Sequence, residues 1–237
     1  MITFAHIRNT RNRGDLASTP GLYFDFGAHR FADIRERHAG VVIYGGGAIG
    51  QWLARQRATG IAWGVGSTVH GATRVAGTVP EGMRLYGSRD DGLPGAIWTP
   101  CASCMSPLFD ASYEIRHEAV LFTNGDRATA RRYPVNVTGL PHKTNHGSLE
   151  EIIAFLGSAD LVVTNSYHGA YWATLLGRRV VVVGAYSSKF YGFRHPPAIG
   201  SDWRKEARRA AKYPDALTDC RAANVAFADR VRECLRS

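Results

Sequence analysis

Strand-length runs of apolar, β-branched or aromatic residues recur through the first half of the chain, at positions 2–7, 21–26, 41–44, 61–65, 83–86 and 96–99, with polar or glycine-rich breaks between them. Val41-Val42-Ile43-Tyr44 is apolar at every position, as a parallel strand covered on both faces requires. Residues 49–57 between two such runs predict a helix, so the local logic is β-α-β. In the second half the alternation is plainer. The pattern predicts strands at 119–123, 160–164 and 179–183, helices at 148–156 and 167–176, and optionally a further strand at 134–140. Ser148 with Glu151 three positions on forms a capping box, and Gly157 and Gly177 follow the two helices as stops. Residues 203–212 read as a basic helix, and residues 219–236 as a closing helix with Val225, Phe227, Val231 and Leu235 inward.

The fold class this predicts is α/β, built as two small Rossmann-like, doubly wound halves, residues 1–112 and 113–237, with the closing helix in the second. A chain of 237 residues with 45% hydrophobic and 21% charged positions buries a proper core without disulfide or metal staples. No apolar run is long enough to span a bilayer, and the first residues lack the layout of a signal peptide. A cytoplasmic location is expected, with peripheral contact at the inner membrane face allowed by the charge. That charge is +9, and only Lys143, Lys189, Lys205 and Lys212 among the 29 basic residues are lysines. A GC-rich coding bias accounts for the arginines, or an anionic partner does. They are scattered, without a basic run or interleaved aromatics, which favours small phosphorylated ligands or an anionic membrane surface and argues against nucleic acid.

Cys101 and Cys104 have zinc or redox spacing, but Cys220 and Cys234 do not complete a site, and no carboxylate stands at ligand spacing from His142 or His146. No metal is expected. Gly45-Gly46-Gly47-Ala48-Ile49-Gly50 satisfies G-x-G-x-x-G after a buried strand, yet no Asp or Glu occurs between Gly40 and Glu81 to hold a ribose, so a nicotinamide cofactor is disfavoured. Gly46 and Gly47 then serve either anion approach or tight packing. In Thr164-Asn165-Ser166-Tyr167-His168-Gly169, a buried strand runs directly into a helix. This places His168 in the first helical turn at the carboxyl edge of a parallel sheet, where open α/β sheets bind ligands. The helix start disfavours imidazolium, so His168 is expected to be neutral until an anion binds beside it.

Asn9-Thr10-Arg11-Asn12-Arg13-Gly14-Asp15, the triple-glycine turn, Gly64-Val65-Gly66-Ser67, Ser88-Arg89-Asp90, Asn165-Ser166-Tyr167-His168-Gly169, the following Leu-Gly-Arg-Arg-Val and Lys189 occur in one order from Asn9 to about Phe193. In that combination the chain resembles the polysaccharide pyruvyl transferase family. The resemblance implies a GT-B-like arrangement, an acceptor side in residues 1–112 and a donor side in 113–237. It further implies transfer of the enolpyruvyl unit of phosphoenolpyruvate to two hydroxyls of a saccharide as a cyclic ketal. Phosphoenolpyruvate is then the donor substrate, with no separate cofactor. The acceptor would be a cell-surface polysaccharide precursor, on a lipid diphosphate or a nucleotide. His168 carries over as general acid/base, Arg89 and Lys189 as anion clamps, and Asn12, Asp15, Gly46, Gly47, Ser67, Asn165, Ser166 and Gly169 as residues around the substrates.

The chemistry agrees. An enol phosphate flanked by a carboxylate needs a bidentate arginine, a point-charge lysine and one proton carrier. Two other readings remain open. A GT-B glycosyltransferase would use a nucleotide sugar, although residues 186–200 offer no carboxylate for its ribose; a non-catalytic saccharide- or phosphate-binding protein would keep the fold alone. Phe190, Tyr191 and Phe193 serve either packing or a sugar-stacking face.

Overall fold

Every predicted strand apart from the optional one at 134–140 joins one of two all-parallel sheets, with a single exception. The structure is a computed structural model and describes residues 1–236. In the first half, β1 (Ile2–His6), α1 (Arg13–Leu16), β2 (His29–Asp33), β3 (Val41–Gly45), α2 (Gly50–Arg55), β4 (Gly60–Val65), β5 (Met83–Ser88) and β6 (Ile97–Trp98) follow in order. The second half comprises β7 (His117–Thr123), α3 (Arg127–Arg132), β8 (His142–Thr144), α4 (Leu149–Gly157), β9 (Ala159–Thr164), α5 (Tyr167–Leu175), β10 (Arg179–Val182), β11 (Ala198–Ile199), α6 (Trp203–Glu206) and α7 (Ala216–Arg236). The sheet orders are β2-β1-β3-β4-β5-β6 and β11-β10-β9-β7-β8. Helices flank both sheets, so the α/β class and the two Rossmann-like halves hold.

The exception is residues 21–26. Pro20 starts a short 3-10 turn through Leu22, and Phe24 and Phe26 fold over Trp63, with ring centroids 5.0 and 5.9 Å away. Their aromatic character covers the sheet's face, and the strand forms instead at His29–Asp33. Residues 134–140 are likewise not a strand. Val135, Val137 and Leu140 pack as loop residues against the outer face of the second sheet, and β8 begins just beyond them. The basic segment forms only the short α6, capped by Asp202.

Local chemistry explains the better-predicted elements. The Ser148 hydroxyl accepts the Glu151 N–H at 3.1 Å and starts α4. α5 is buried along its whole length, because the second sheet lies on one side and α7 crosses the other. Its apolar residues therefore show no single face. α7 itself returns to the first half, where Phe227, Ala228 and Val231 complete the core of Phe4, Ile43, Ile61 and Trp63, while Val225 points outward. Asn224 on the same helix accepts the Trp63 indole N–H at 2.7 Å and donates to the Pro100 and Cys220 carbonyls. The two halves are thereby joined through a buried polar knot.

Candidate functional site

In both sheets the strand ends that carry polar residues face one another, and the loops leaving them cross the gap. The loop after β1 reaches the second half: Arg13 N–H donates to the Asn145 carbonyl at 2.9 Å, and Arg13 Nε to the Gly147 carbonyl at 2.8 Å. The loop after β10 reaches back. Val69 N–H donates to Ser188 Oγ at 3.0 Å, and Gly71 N–H to the Tyr186 carbonyl at 3.0 Å. Between these loops lies a cavity of about 180 Å³ that brings together Asn12, Asp15, Arg89, Ser166, His168 and Lys189. It is smaller than the ~300–1,000 Å³ of sites for drug-sized ligands and holds about six waters' worth of liquid volume.

His168 lies in the first turn of α5, whose cap is Ser166, the hydroxyl accepting the Gly169 N–H. The ring packs edge-on to Tyr167 and tilted against Trp172, at centroid distances of 5.3 and 5.0 Å. Its Nε2 is 3.6 Å from Cys101 Sγ. Its Nδ1 faces the backbone of Gly14, where a Cβ would lie only 2.0 Å away. Burial, then the charges of Arg89 and Lys189, hold the imidazole well below its ordinary pKa, so it is neutral near pH 7.

Arg89 is almost fully buried and stacks its guanidinium on the Tyr167 ring, 3.6 Å from the centroid. Gly66 leaves it room, since a Cβ there would stand 2.2 Å from Arg89 Nε. Among the described residues neither Arg89 Nε nor Asp90 Oδ1 has a hydrogen-bond partner, and the two are 4.0 Å apart. Asp90 is turned to Ser67, accepting its N–H at 2.8 Å. Lys189 donates to the Tyr186 hydroxyl and sits 4.3 Å from the centre of that ring. Burial, with the Arg89 charge added, brings its ammonium down to about 7. Asp15 is pushed up to about 6 by burial, against the pull of Arg89, the Asn12 amide and Lys189. Asn12 holds it, donating from Nδ2 to Oδ2 at 2.9 Å, and accepts the Gly14 N–H on Oδ1. The cavity thus carries two poorly neutralised cations, a neutral imidazole and a carboxyl whose charge is easily lost. Such a set receives an anion and moves protons beside it.

The remaining residues singled out from the sequence do not line this cavity. Asn165 Oδ1 accepts the Asn124 N–H at 2.9 Å and shapes the wall. Gly46 and Gly47 take positive φ and pack on Ser18 and beside Asp15. Ser67 positions Asp90 and lines a different depression beside α2. Gly169 faces the sheet, where a Cβ would strike Phe122 and Thr164. Phe190 is fully buried and Phe193 stacks on Tyr167, so this aromatic group packs the core. Of the other imidazoles, His142 pairs with Thr123 and His195 with Asp219. Cys101, Cys104 and Cys220 are buried free thiols, and among the described residues no group of three or more His, Cys, Asp or Glu could hold a metal ion. No helix among them is long and apolar enough to cross a membrane.

Ile7, Ala48, Asn124, Asn145 and Tyr167 also line the cavity. Asn124 and Asn145 each follow a strand end directly, the same signal that exposes Asn165. A second, open cleft of about 780 Å³ adjoins and shares Asn12, Asp15 and Asn124, with Arg11, Arg127 and His146 on its walls.

Fold and site together place the chain among α/β proteins that gather their polar groups between the carboxyl edges of two parallel sheets. Residues 108–187 match the family described as polysaccharide pyruvyl transferase, in agreement with the resemblance read from the motifs. The family is one of transferases of polysaccharide biosynthesis, with a saccharide as acceptor. The matched stretch contains Asn165, Ser166 and His168 and ends just before Lys189; Asn12, Asp15 and Arg89 lie outside it. No curated protein and no solved structure matches the chain.

Proposed function

We propose that the chain transfers the enolpyruvyl unit of phosphoenolpyruvate to two hydroxyls of a saccharide, forming a cyclic ketal and releasing phosphate. The observation that carries this reading is the small cavity holding Arg89 and Lys189 next to a neutral His168, opening beside a wider polar cleft. Arg89 and Lys189 bind the phosphate and carboxylate. Protonation of the donor's methylene turns its C2 into an electrophile; one acceptor hydroxyl adds there, the C2–O bond to phosphate breaks, and the second hydroxyl closes the ring. Of the two hydroxyl protons, one ends in the new methyl group and the other leaves with phosphate, so the reaction needs no external oxidant or reductant. His168 passes the proton to the donor through Nδ1, and Asp15, at the junction of cavity and cleft, takes one from the acceptor.

The saccharide lies in the adjoining cleft, whose Arg11 and Arg127 suit a diphosphate-linked acceptor. With a net charge of +9, this matches a lipid-linked acceptor at an anionic, cytoplasmic membrane face. The GT-B-like relation of the halves follows from the same reading.

Thermal unfolding with phosphoenolpyruvate, pyruvate, inorganic phosphate and nucleotide sugars tests it. Phosphoenolpyruvate at ~100 times its Kd adds about 2.7 kcal/mol, a rise of roughly 5–11 °C for a chain this size. Arg89→Lys keeps the charge but loses the fork and weakens that binding at least about tenfold. His168→Gln retains binding and loses ~10²- to 10⁴-fold in turnover. Stabilisation by a nucleotide sugar alone refutes the proposal.

A further inference from the structure

Cys101 plays no part in the scheme above, yet among the described residues it is the only side chain hydrogen-bonded to His168. Its thiol is fully buried at the start of the 3-10 turn Ala102–Met105, its carbonyl fixed by the Tyr171 hydroxyl at 2.9 Å. Its sulfur is 3.1 Å from Ser103 Oγ and 3.6 Å from His168 Nε2. Ser103 Oγ in turn receives the Trp172 indole N–H at 2.9 Å.

The proton positions in this chain follow from counting donors. An indole N–H only donates, so Trp172 occupies one lone pair of Ser103 Oγ. The serine hydroxyl is fully buried and must place its own proton; Cys101 Sγ is the remaining acceptor beside it. With Ser103 donating to it, the thiol's own proton has His168 Nε2 as its remaining hydrogen-bond partner among the described residues. A nitrogen that accepts is unprotonated, so the ring proton resides on Nδ1, the Gly14 side of a ring that lines the cavity.

We infer that Cys101 is a positioning residue: the directed chain Trp172 to Ser103 to Cys101 to His168 fixes the empty protein's imidazole as the Nδ1–H tautomer, so the incoming anion meets a hydrogen-bond donor. A thiol suits this place because it works in both directions. When a dianion charges the ring, the second proton sits on Nε2, and sulfur turns from donor to acceptor. A backbone carbonyl in its place would forbid the neutral Nδ1–H tautomer, and an ammonium the charged ring. What the Nδ1–H meets rests on the pyruvyl-transfer reading, but the tautomer does not.

Long-range ¹H–¹⁵N correlation of histidine-labelled, ligand-free protein reads the tautomer directly. The wild type is expected to show His168 protonated on Nδ1 and bare on Nε2, Cys101→Ala a mixture or the reverse, and Cys101→Ser the wild-type form. With phosphoenolpyruvate and an acceptor, Cys101→Ala is expected to lose about tenfold in kcat with KM for the donor nearly unchanged, since a wrongly held tautomer penalises turnover rather than binding. Cys101→Ser restores most of it. A wild-type ring protonated on Nε2, or a Cys101→Ala ring with an unchanged tautomer, overturns the inference. The expected tautomers in a protein that does not turn over phosphoenolpyruvate would leave the inference standing and remove the function proposed above.

Discussion

Gly14→Ala isolates the contact on which His168 depends. The added Cβ would stand 2.0 Å from Nδ1 and 2.5 Å from Cγ of the ring, against about 3.5 Å for carbon in ordinary contact, so something must move by about 1.5 Å. The imidazole has no retreat, with Trp172 and Tyr167 against its faces and edge and Cys101 at Nε2. The loop carrying Asn12 and Asp15 is tied to Asn145 and Gly147 and does not yield freely. Overpacking costs about 1–3 kcal/mol, and the stiffer unfolded chain returns about 0.4–1 kcal/mol, because Gly14 does not use positive φ. The net loss of about 1–2 kcal/mol lowers Tm by roughly 2–8 °C and leaves the protein folded at 25 °C. Turnover falls much further, by ~10² or more, as expected when a reacting group is misplaced by an ångström. Phosphate release from phosphoenolpyruvate with a saccharide acceptor, beside a thermal melt, reads both quantities. Wild-type turnover in a folded Gly14→Ala protein would refute the role given to this contact and to His168 Nδ1.

Two further predictions concern charge and core. Lys189, held down to about 7, is unprotonated in much of the empty protein above that pH, and an anion must recharge it; Asp15, held up to about 6, is already negative there. Between pH 7 and 8.5, where phosphate is already dianionic, donor affinity should fall by up to tenfold per pH unit with uptake of nearly one proton, and Lys189→Arg should flatten the slope. Calorimetry in buffers of different ionisation enthalpy measures this, and an affinity independent of pH would exclude Lys189 as the clamp. For folding itself the sign is opposite, since the unfolded lysine keeps its proton to about 10.5: its burial penalty is full below pH 7 and is relieved as pH rises toward 10.5. Phe227→Ala empties the slot beside Trp63, whose ring it meets edge-on at 5.0 Å, and should cost about 3–5 kcal/mol by denaturant titration; a loss below ~1 kcal/mol would show that α7 does not complete the first core.

Period and punctuation made most strands and two helices legible because sheets buried on both faces demand unbroken apolar runs, as in Val41–Tyr44 and Leu161–Val163. Residues 21–26 have the same composition for another reason, which only the position of Trp63 reveals. Of the site, His168 was visible because a strand runs into its helix without a spacer. Arg89 and Lys189 entered through motif order. Asn124, Asn145 and Tyr167 were hidden, since a polar or aromatic residue after a strand is ordinary until the opposing loop is known. Cys101 looked like half of a metal pair, and its place behind the imidazole depends on how two halves of the chain meet.

The return of α7 to the first sheet bears on how the protein is made. The Trp63 indole N–H waits for a partner 161 positions later, and the first half is synthesised with one face of β1, β3 and β4 covered only by aromatic residues of its own such as Phe24 and Phe26 until that helix arrives. In this interval the whole second half can already be folding, so the core of Phe4, Ile43, Ile61 and Trp63 stays incompletely covered for most of the chain's synthesis. Contacts that distant in sequence form late and favour aggregation in the meantime. Yield on expression should therefore respond to chaperone supply and to changes in α7 more sharply than to changes in α4, which closes within its own half as soon as it emerges.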